Sequence, residues 1–140
     1  MKKIIIFGAT GSIGSSLLDI IKKDKKNFNI ELMSANKNYK KLINHAKNFN
    51  VKHLIITDKK SFLKAKKIIN NKNIKIYNNF NNIHKILKHK VDYTMSSISG
   101  LEGLIPTMKI IKFTKKIAIA NKESIICAWN LIKKELIKYN

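Results

Sequence analysis

The chain has no arginine, one cysteine, one proline, five glycines and only eight acidic residues. Each scarcity narrows the field. Without arginine there is no planar guanidinium to fork onto phosphates or guanine edges, which argues against specific nucleic-acid recognition. A lone Cys127 excludes an internal disulfide framework and fits a reducing compartment. Apolar runs are short, as from Ile4 to Phe7, against the roughly 18 residues of a membrane helix, so no membrane partner is expected. Lys2 and Lys3 ahead of that run open like a secretory signal. The run stops at Gly8, short of the roughly 7–15 residues of a signal core. The first strand is predicted from residue 3, so no targeting peptide is expected. Bacterial cytosol is therefore the expected compartment, with a plastid-type organelle only after loss of a transit peptide.

What is abundant is lysine. Twenty-nine lysines against eight acids give a net charge of +21. One reading is a basic, non-catalytic polyanion-binding protein. The other is compositional drift, since lysine, isoleucine and asparagine make up 72 of the 140 residues and all three have AT-rich codons. Lysines at helical spacing, as at positions 59, 60, 64, 66 and 67, suit a solvated face. The second reading is preferred, and no nucleic-acid partner is expected.

One hundred and forty residues with 44% hydrophobic content are enough for one domain with a real core. Short isoleucine-rich segments alternate with amphipathic ones. Strands are predicted at 3–7, 30–34, 53–57, 74–77, 92–96 and 116–120. Helical stripes are predicted from Ile13, Leu17, Ile20 and Ile21, and from Leu42, Ile43, Ala46 and Phe49. Others run through Phe62, Ala65, Ile68 and Ile69, through Ile83, Ile86 and Leu87, and through Leu101, Leu104, Ile105, Met108 and Ile111. A last, long helix is marked by Ile125, Ile126, Trp129, Ile132 and Leu136. Pro106 predicts a kink or a helix start. This rhythm predicts an α/β fold, Rossmann-like and doubly wound, with a mostly parallel sheet and helices on both faces.

The sequence Gly8-Ala-Thr-Gly11-Ser-Ile-Gly14 follows the first strand and opens the first helix, the setting in which a glycine motif carries meaning. Gly8 permits a tight turn, Gly11 a close approach to a pyrophosphate, and Gly14 close packing of helix on sheet. The helix start supplies oriented N–H donors, and Thr10 and Ser12 add hydroxyls. An acid at the end of the second strand usually selects NAD. Here that strand ends Asn36-Lys37-Asn38, which favours a 2′-phosphate and hence NADPH, with Lys37 as the ionic contact. At Asn121-Lys122-Glu123 a strand runs into a helix at the edge where ligands bind. Helix capping by Asn121 and ligand binding stand there as equal readings.

Four segments occur in order: the glycine motif, Ala35–Asn38, Gly100-Leu-Glu-Gly-Leu-Ile-Pro-Thr107 and Ala120-Asn-Lys-Glu-Ser124. Together they resemble the amino-terminal domain of the 1-deoxy-D-xylulose 5-phosphate reductoisomerase family, across essentially the whole chain. The resemblance implies NADPH contacts at Thr10, Gly11, Ser12, Ile13, Asn36, Lys37, Asn38, Asn121 and Glu123, and a substrate contact at Lys122. It places residues 95–103 near the cofactor. It implies NADPH-dependent rearrangement and reduction of 1-deoxy-D-xylulose 5-phosphate to 2-C-methyl-D-erythritol 4-phosphate, in isoprenoid synthesis by the non-mevalonate route. The family also uses a divalent metal, Mg or Mn, and a homodimer. Its metal-binding and carboxy-terminal domains have no counterpart before residue 140. Residues 1–140 are thus expected to be an NADPH-binding domain, with no catalytic or metal-ligating residue of their own and no turnover alone. Another GxxGxxG oxidoreductase, such as an aspartate-semialdehyde dehydrogenase, would need a nucleophilic cysteine. Cys127 instead falls in the last predicted helix, where a buried packing role is expected.

Overall fold

The structure, a computed structural model, describes residues 1–139. Six strands form one parallel sheet. They are β1 (Lys2–Phe7), β2 (Phe28–Ala35), β3 (His53–Ile56), β4 (Lys75–Tyr77), β5 (Tyr93–Ser96) and β6 (Ile117–Ile119), in the order β4-β3-β2-β1-β5-β6. The helices are α1 (Ser12–Lys23), α2 (Tyr39–Phe49), α3 (Lys59–Ile68), α4 (Ile83–Ile86), α5 (Leu104–Ile111) and α6 (Lys122–Tyr139). The strand order runs outward in both directions from β1, so β1 and its neighbours meet at a topological switch point. This is the doubly wound, Rossmann-like α/β architecture that the alternation predicts.

Packing explains why β1 reads as a continuous apolar run. Side chains on a strand alternate between faces, and a central parallel strand is covered on both. Ile4 and Ile6 pack with Leu18 and Ile21 of α1, Leu42, Ile43 and Ala46 of α2 and Ala65 of α3. Ile5 and Phe7 face the opposite way, onto Phe80, Ile83 and Leu87 around α4 and Ile110 of α5. Burying each such side chain contributes about 1.5–3 kcal/mol relative to leaving it in water. The sheet's opposite end is tied by Asp92. Its carboxylate accepts from the Lys3 backbone N–H at 2.8 Å and from the Lys115 ammonium at 2.8 Å.

The helical stripes differ from expectation at named positions. On α1 the buried residues are Gly14, Leu18 and Ile21, while Ile13 and Ile20 are exposed. A glycine against the loop draws the helix in on that side and rotates the predicted stripe partly outward. Ile68, Leu101 and Ile105 are also exposed. Pro106 lies in the first turn of α5, where its missing N–H costs no helical hydrogen bond. The last helix is not continuous, because Ala128 has a non-helical backbone (φ −142°, ψ 23°). Its buried side is Ser124, Ala128 and Ile132, the first two small enough to permit close approach. Ile126 and Trp129 therefore point outward, and Cys127 is exposed rather than buried.

Candidate functional site

The glycine motif forms the turn between β1 and α1. Gly8 has φ +75°, a conformation that side-chain-bearing residues rarely adopt. A Cβ there would also lie 2.6 Å from the Ser97 carbonyl oxygen. Gly14 faces the same constraint from the helix side, since a Cβ would lie 2.7 Å from Ala9 Cα. These two glycines bring loop, helix and the end of β5 into direct contact. The end of β2 fixes the turn: Gly8 N–H donates to Ser34 Oγ at 3.1 Å and Ala9 N–H to the Ser34 carbonyl at 2.8 Å. On the other side, Ser97 donates to the Phe7 carbonyl through its N–H at 3.1 Å and its hydroxyl at 2.6 Å.

α1 begins at Gly11 with no side-chain cap. The first N–H groups of a helix have no partner inside it, so this start presents free donors and a partial positive charge. Gly11, Ser12 and Ile13 are exposed there. Gly11 opens on a cleft of about 610 Å³ along the carboxyl ends of β1, β2 and β5, whereas Ser12 and Ile13 line a separate hollow with Ser16, Leu17, Ile20 and Met95. Gly8, Thr10 and Gly11 line one side, and Ser34, Ala35, Asn36 and Thr57 another. Ser97, Ile98, Ser99 and Glu102 close it, with Phe80 and Pro106 as apolar surface. The size and mixed lining suit a small-molecule site.

Asn36, Lys37 and Asn38 are exposed at the β2–α2 turn beside this cleft, and Asn36 lines it. Asn38 also caps α2, its Oδ1 accepting from Lys41 N–H at 3.3 Å. Asp58 follows β3 and comes near enough to Lys37 for its carboxyl to feel that charge. Its pKa is held below 3.8 chiefly by hydrogen bonds from Ser61, the N–H at 2.8 Å among them. This carboxylate is therefore committed to capping α3. Asp58 comes to the end of β2 from the neighbouring strand, its N–H donating to the Asn36 carbonyl at 3.4 Å, so no pattern within β2 marks it.

Asn121 is only 3% exposed and lies between β6 and α6. Its Nδ2 donates to the carbonyls of Ile98 at 2.5 Å and Gly100 at 2.6 Å, and its Oδ1 accepts from Ser124 N–H at 3.0 Å. One carboxamide thus caps α6 and clasps the loop that walls the cleft. Gly103 lies directly beneath it: a Cβ there would overlap Asn121 Nδ2 and lie 2.6 Å from the Ile98 carbonyl. Lys122 is exposed and Glu123 half-buried at the start of α6, outside the cleft lining. The structure therefore gathers Gly8, Thr10 and Gly11, Asn36, residues 97–99 and Glu102 around one cleft. Asn121 stands behind its wall, and Lys122 and Glu123 lie outside its lining. Ser34, Lys41, Thr57 and Phe80 are the participants that sequence patterns left unmarked.

The parallel sheet, the switch point and the uncapped glycine turn define a Rossmann-like domain of nucleotide-enzyme type. The model of the 1-deoxy-D-xylulose 5-phosphate reductoisomerase family matches residues 4–129. The chain belongs to that family. The reductoisomerase of Pelagibacter ubique is 64% identical over 141 residues, covering 99% of this chain and 36% of the relative. The Zymomonas mobilis reductoisomerase, solved in complex with NADPH, superposes with a TM-score of 0.89 at 30% identity over 99% of this chain and 36% of that one. A DOX-P reductoisomerase complexed with NADPH, fosmidomycin and magnesium gives 0.89 at 26% identity, covering 99% and 35%. The chain thus spans about 36% of the length of the relatives it matches.

Proposed function

We propose that these residues are the nucleotide-binding part of a 1-deoxy-D-xylulose 5-phosphate reductoisomerase and hold NADPH along the carboxyl edge of the sheet. The observation that carries the reading is the uncapped start of α1, opening on the cleft, beside a β2 end that offers Lys37 and no uncommitted carboxylate. The donor set fits a dinucleotide. Thr10, Gly11, Ser12 and Ile13 bind the pyrophosphate, and Asn36, Lys37 and Asn38 take the 2′-phosphate end. Glu123 and Asn121 serve the cofactor at the far side, Asn121 with its carboxamide already engaged in the loop. Lys122 binds the sugar phosphate as a point charge.

When bound, NADPH supplies the hydride for reduction of the rearranged sugar phosphate. The work of this chain is to hold the cofactor in line, a contribution of up to ~7–11 kcal/mol where reacting atoms are well oriented. Magnesium, present in the related complex, is a different matter. Among the described residues no three of His, Cys, Asp and Glu come together. The residues here do not fit a divalent metal, and no step is assigned to one. Metal ligands and reacting groups belong to further parts of the family's polypeptide. The homodimer and a bacterial cytosolic location are parts of the same proposal, resting on the family. Among the described residues no helix is long and apolar enough to cross a membrane.

The test is a fluorescence titration of the 140-residue chain with NADPH and, in parallel, NADH at two salt concentrations. Saturable binding that favours NADPH is expected, with no turnover of substrate in the presence of manganese. Equal, weak and steeply salt-dependent binding of both nucleotides and of unrelated polyanions would instead identify a basic binding protein.

A further inference from the structure

Lys41 lies in the first turn of α2, yet its side chain belongs to the glycine loop. Its half-buried ammonium donates to the Thr10 carbonyl at 3.1 Å and to Ser15 Oγ at 2.8 Å, across 31 and 26 residues of sequence. The Thr10 contact falls on the peptide linking Thr10 to Gly11. In a trans peptide the C=O and N–H point in opposite directions. Here both ends are held: the carbonyl by Lys41, and the Gly11 N–H by the Gly8 carbonyl at 3.1 Å.

Gly11 cannot fix this peptide by itself. It is exposed, and a Cβ there would meet only the Gly8 oxygen at 3.4 Å. Glycine at such a place leaves the backbone free to rotate. A rotated peptide would turn a carbonyl oxygen toward the donors at the start of α1, where an anion is to bind. Among the described residues, the side chains bonded to the backbone of residues 8–11 are Ser34, at the Gly8 N–H, and Lys41, at the Thr10 carbonyl. The contact with Ser15 also ties the ammonium to the first turn of α1. Loop and helix start are thus braced from α2 as one unit.

We propose that Lys41 is a positioning residue for the dinucleotide pyrophosphate, a brace that keeps the glycine loop in its anion-accepting form. The inference rests on the nucleotide-binding reading and deepens it. Two hydrogens of the ammonium are spent on the protein. Lys41 therefore acts on the part common to NADPH and NADH, whereas Lys37 acts on the 2′-phosphate.

The test uses Lys41→Met, which keeps the length of the side chain and removes its donors, and Lys41→Arg, which keeps donors and charge. Lys41→Met is expected to weaken NADPH and NADH by the same factor, about tenfold for a half-exposed charged hydrogen bond. Lys41→Arg is expected to restore most of that loss, and the urea midpoints of all three proteins to agree. Amide exchange without nucleotide is the independent readout: Lys41→Met is expected to exchange faster at residues 10–15 and unchanged at β1. Loss confined to NADPH overturns the proposal by making Lys41 a 2′-phosphate ligand. Unchanged exchange in the loop, or a uniform fall in stability, overturns it too. If the unmodified chain binds neither nucleotide, the nucleotide reading fails, and the exchange comparison still decides whether Lys41 braces the loop.

Discussion

Replacing Asn121 separates two functions of one carboxamide. The side chain caps α6 through Ser124 N–H and supplies both donors for the carbonyls of Ile98 and Gly100. Asn121→Ala removes the cap, worth about 1 kcal/mol. It also leaves two carbonyls without donors behind the cleft wall, at roughly 1 kcal/mol each. The expected loss is about 3 kcal/mol, or ~6–12 °C in Tm for a chain of this size. Asn121→Asp distinguishes the parts. Aspartate caps a helix as well as asparagine does, but it would set a carboxylate oxygen against the two carbonyls. It is therefore expected to be no more stable than the alanine variant. Gly103→Ala presses on the same place, by overlap with Asn121 Nδ2 and the Ile98 carbonyl, at about 1–3 kcal/mol. In combination with Asn121→Ala it is expected to cost less than the sum, because one of the two clashes has been removed. Urea unfolding followed by far-UV circular dichroism compares the four variants with the parent. A loss under about 0.5 kcal/mol for Asn121→Ala, or an aspartate variant as stable as the parent, refutes the clasp.

Lys37→Glu is expected to weaken NADPH by about tenfold or more and to leave NADH within about twofold, read by parallel titration; an equal change in both removes Lys37 from the 2′-phosphate. Gly14→Val is expected to abolish nucleotide binding and lower stability, since any Cβ meets Ala9 Cα at 2.7 Å; unchanged binding by the variant contradicts close packing of α1 on the loop. Acid sensitivity follows from Asp58 and Asp92. Hydrogen bonds from Ser61 hold the first below 3.8, and contacts from Lys115 and Lys3 hold the second there. A carboxyl with a lowered folded-state pKa binds more protons when unfolded, so its stabilisation is present above about pH 4. It is lost as pH falls through the folded-state values. Asparagine at both positions is expected to flatten the fall of the urea midpoint between pH 5 and 2.5. Cys127 is expected to react with a maleimide in the native chain as fast as a free thiol, by virtue of its exposure.

Much of this protein was legible along the chain because the relevant physics is local. Short isoleucine-rich runs marked all six strands and helical periodicity marked most helix faces, since central parallel strands are covered on both sides and helices bury one. The glycine motif was readable because Gly8 and Gly14 answer constraints within a few residues of themselves. The absence of an acid after β2 was readable because Asn36, Lys37 and Asn38 directly follow that strand. What neighbouring strands and helices bring to those segments was not. Asp58 reaches the end of β2 from β3, Lys41 reaches the loop from α2, and Asn121 reaches residues 98–100 from the far side of α5. The outward turn of Ile126 and Trp129 and the exposure of Cys127 follow from α6 packing through Ser124, Ala128 and Ile132, a face that the pattern of large apolar residues does not mark. Sequence alone determined the fold class and the glycine turn between β1 and α1, through short-range sterics and the alternation of apolar segments. Only the tertiary structure decided which distant donors hold that turn and its facing wall in place, because a hydrogen bond between residues far apart in sequence exists only once the sheet has brought them together.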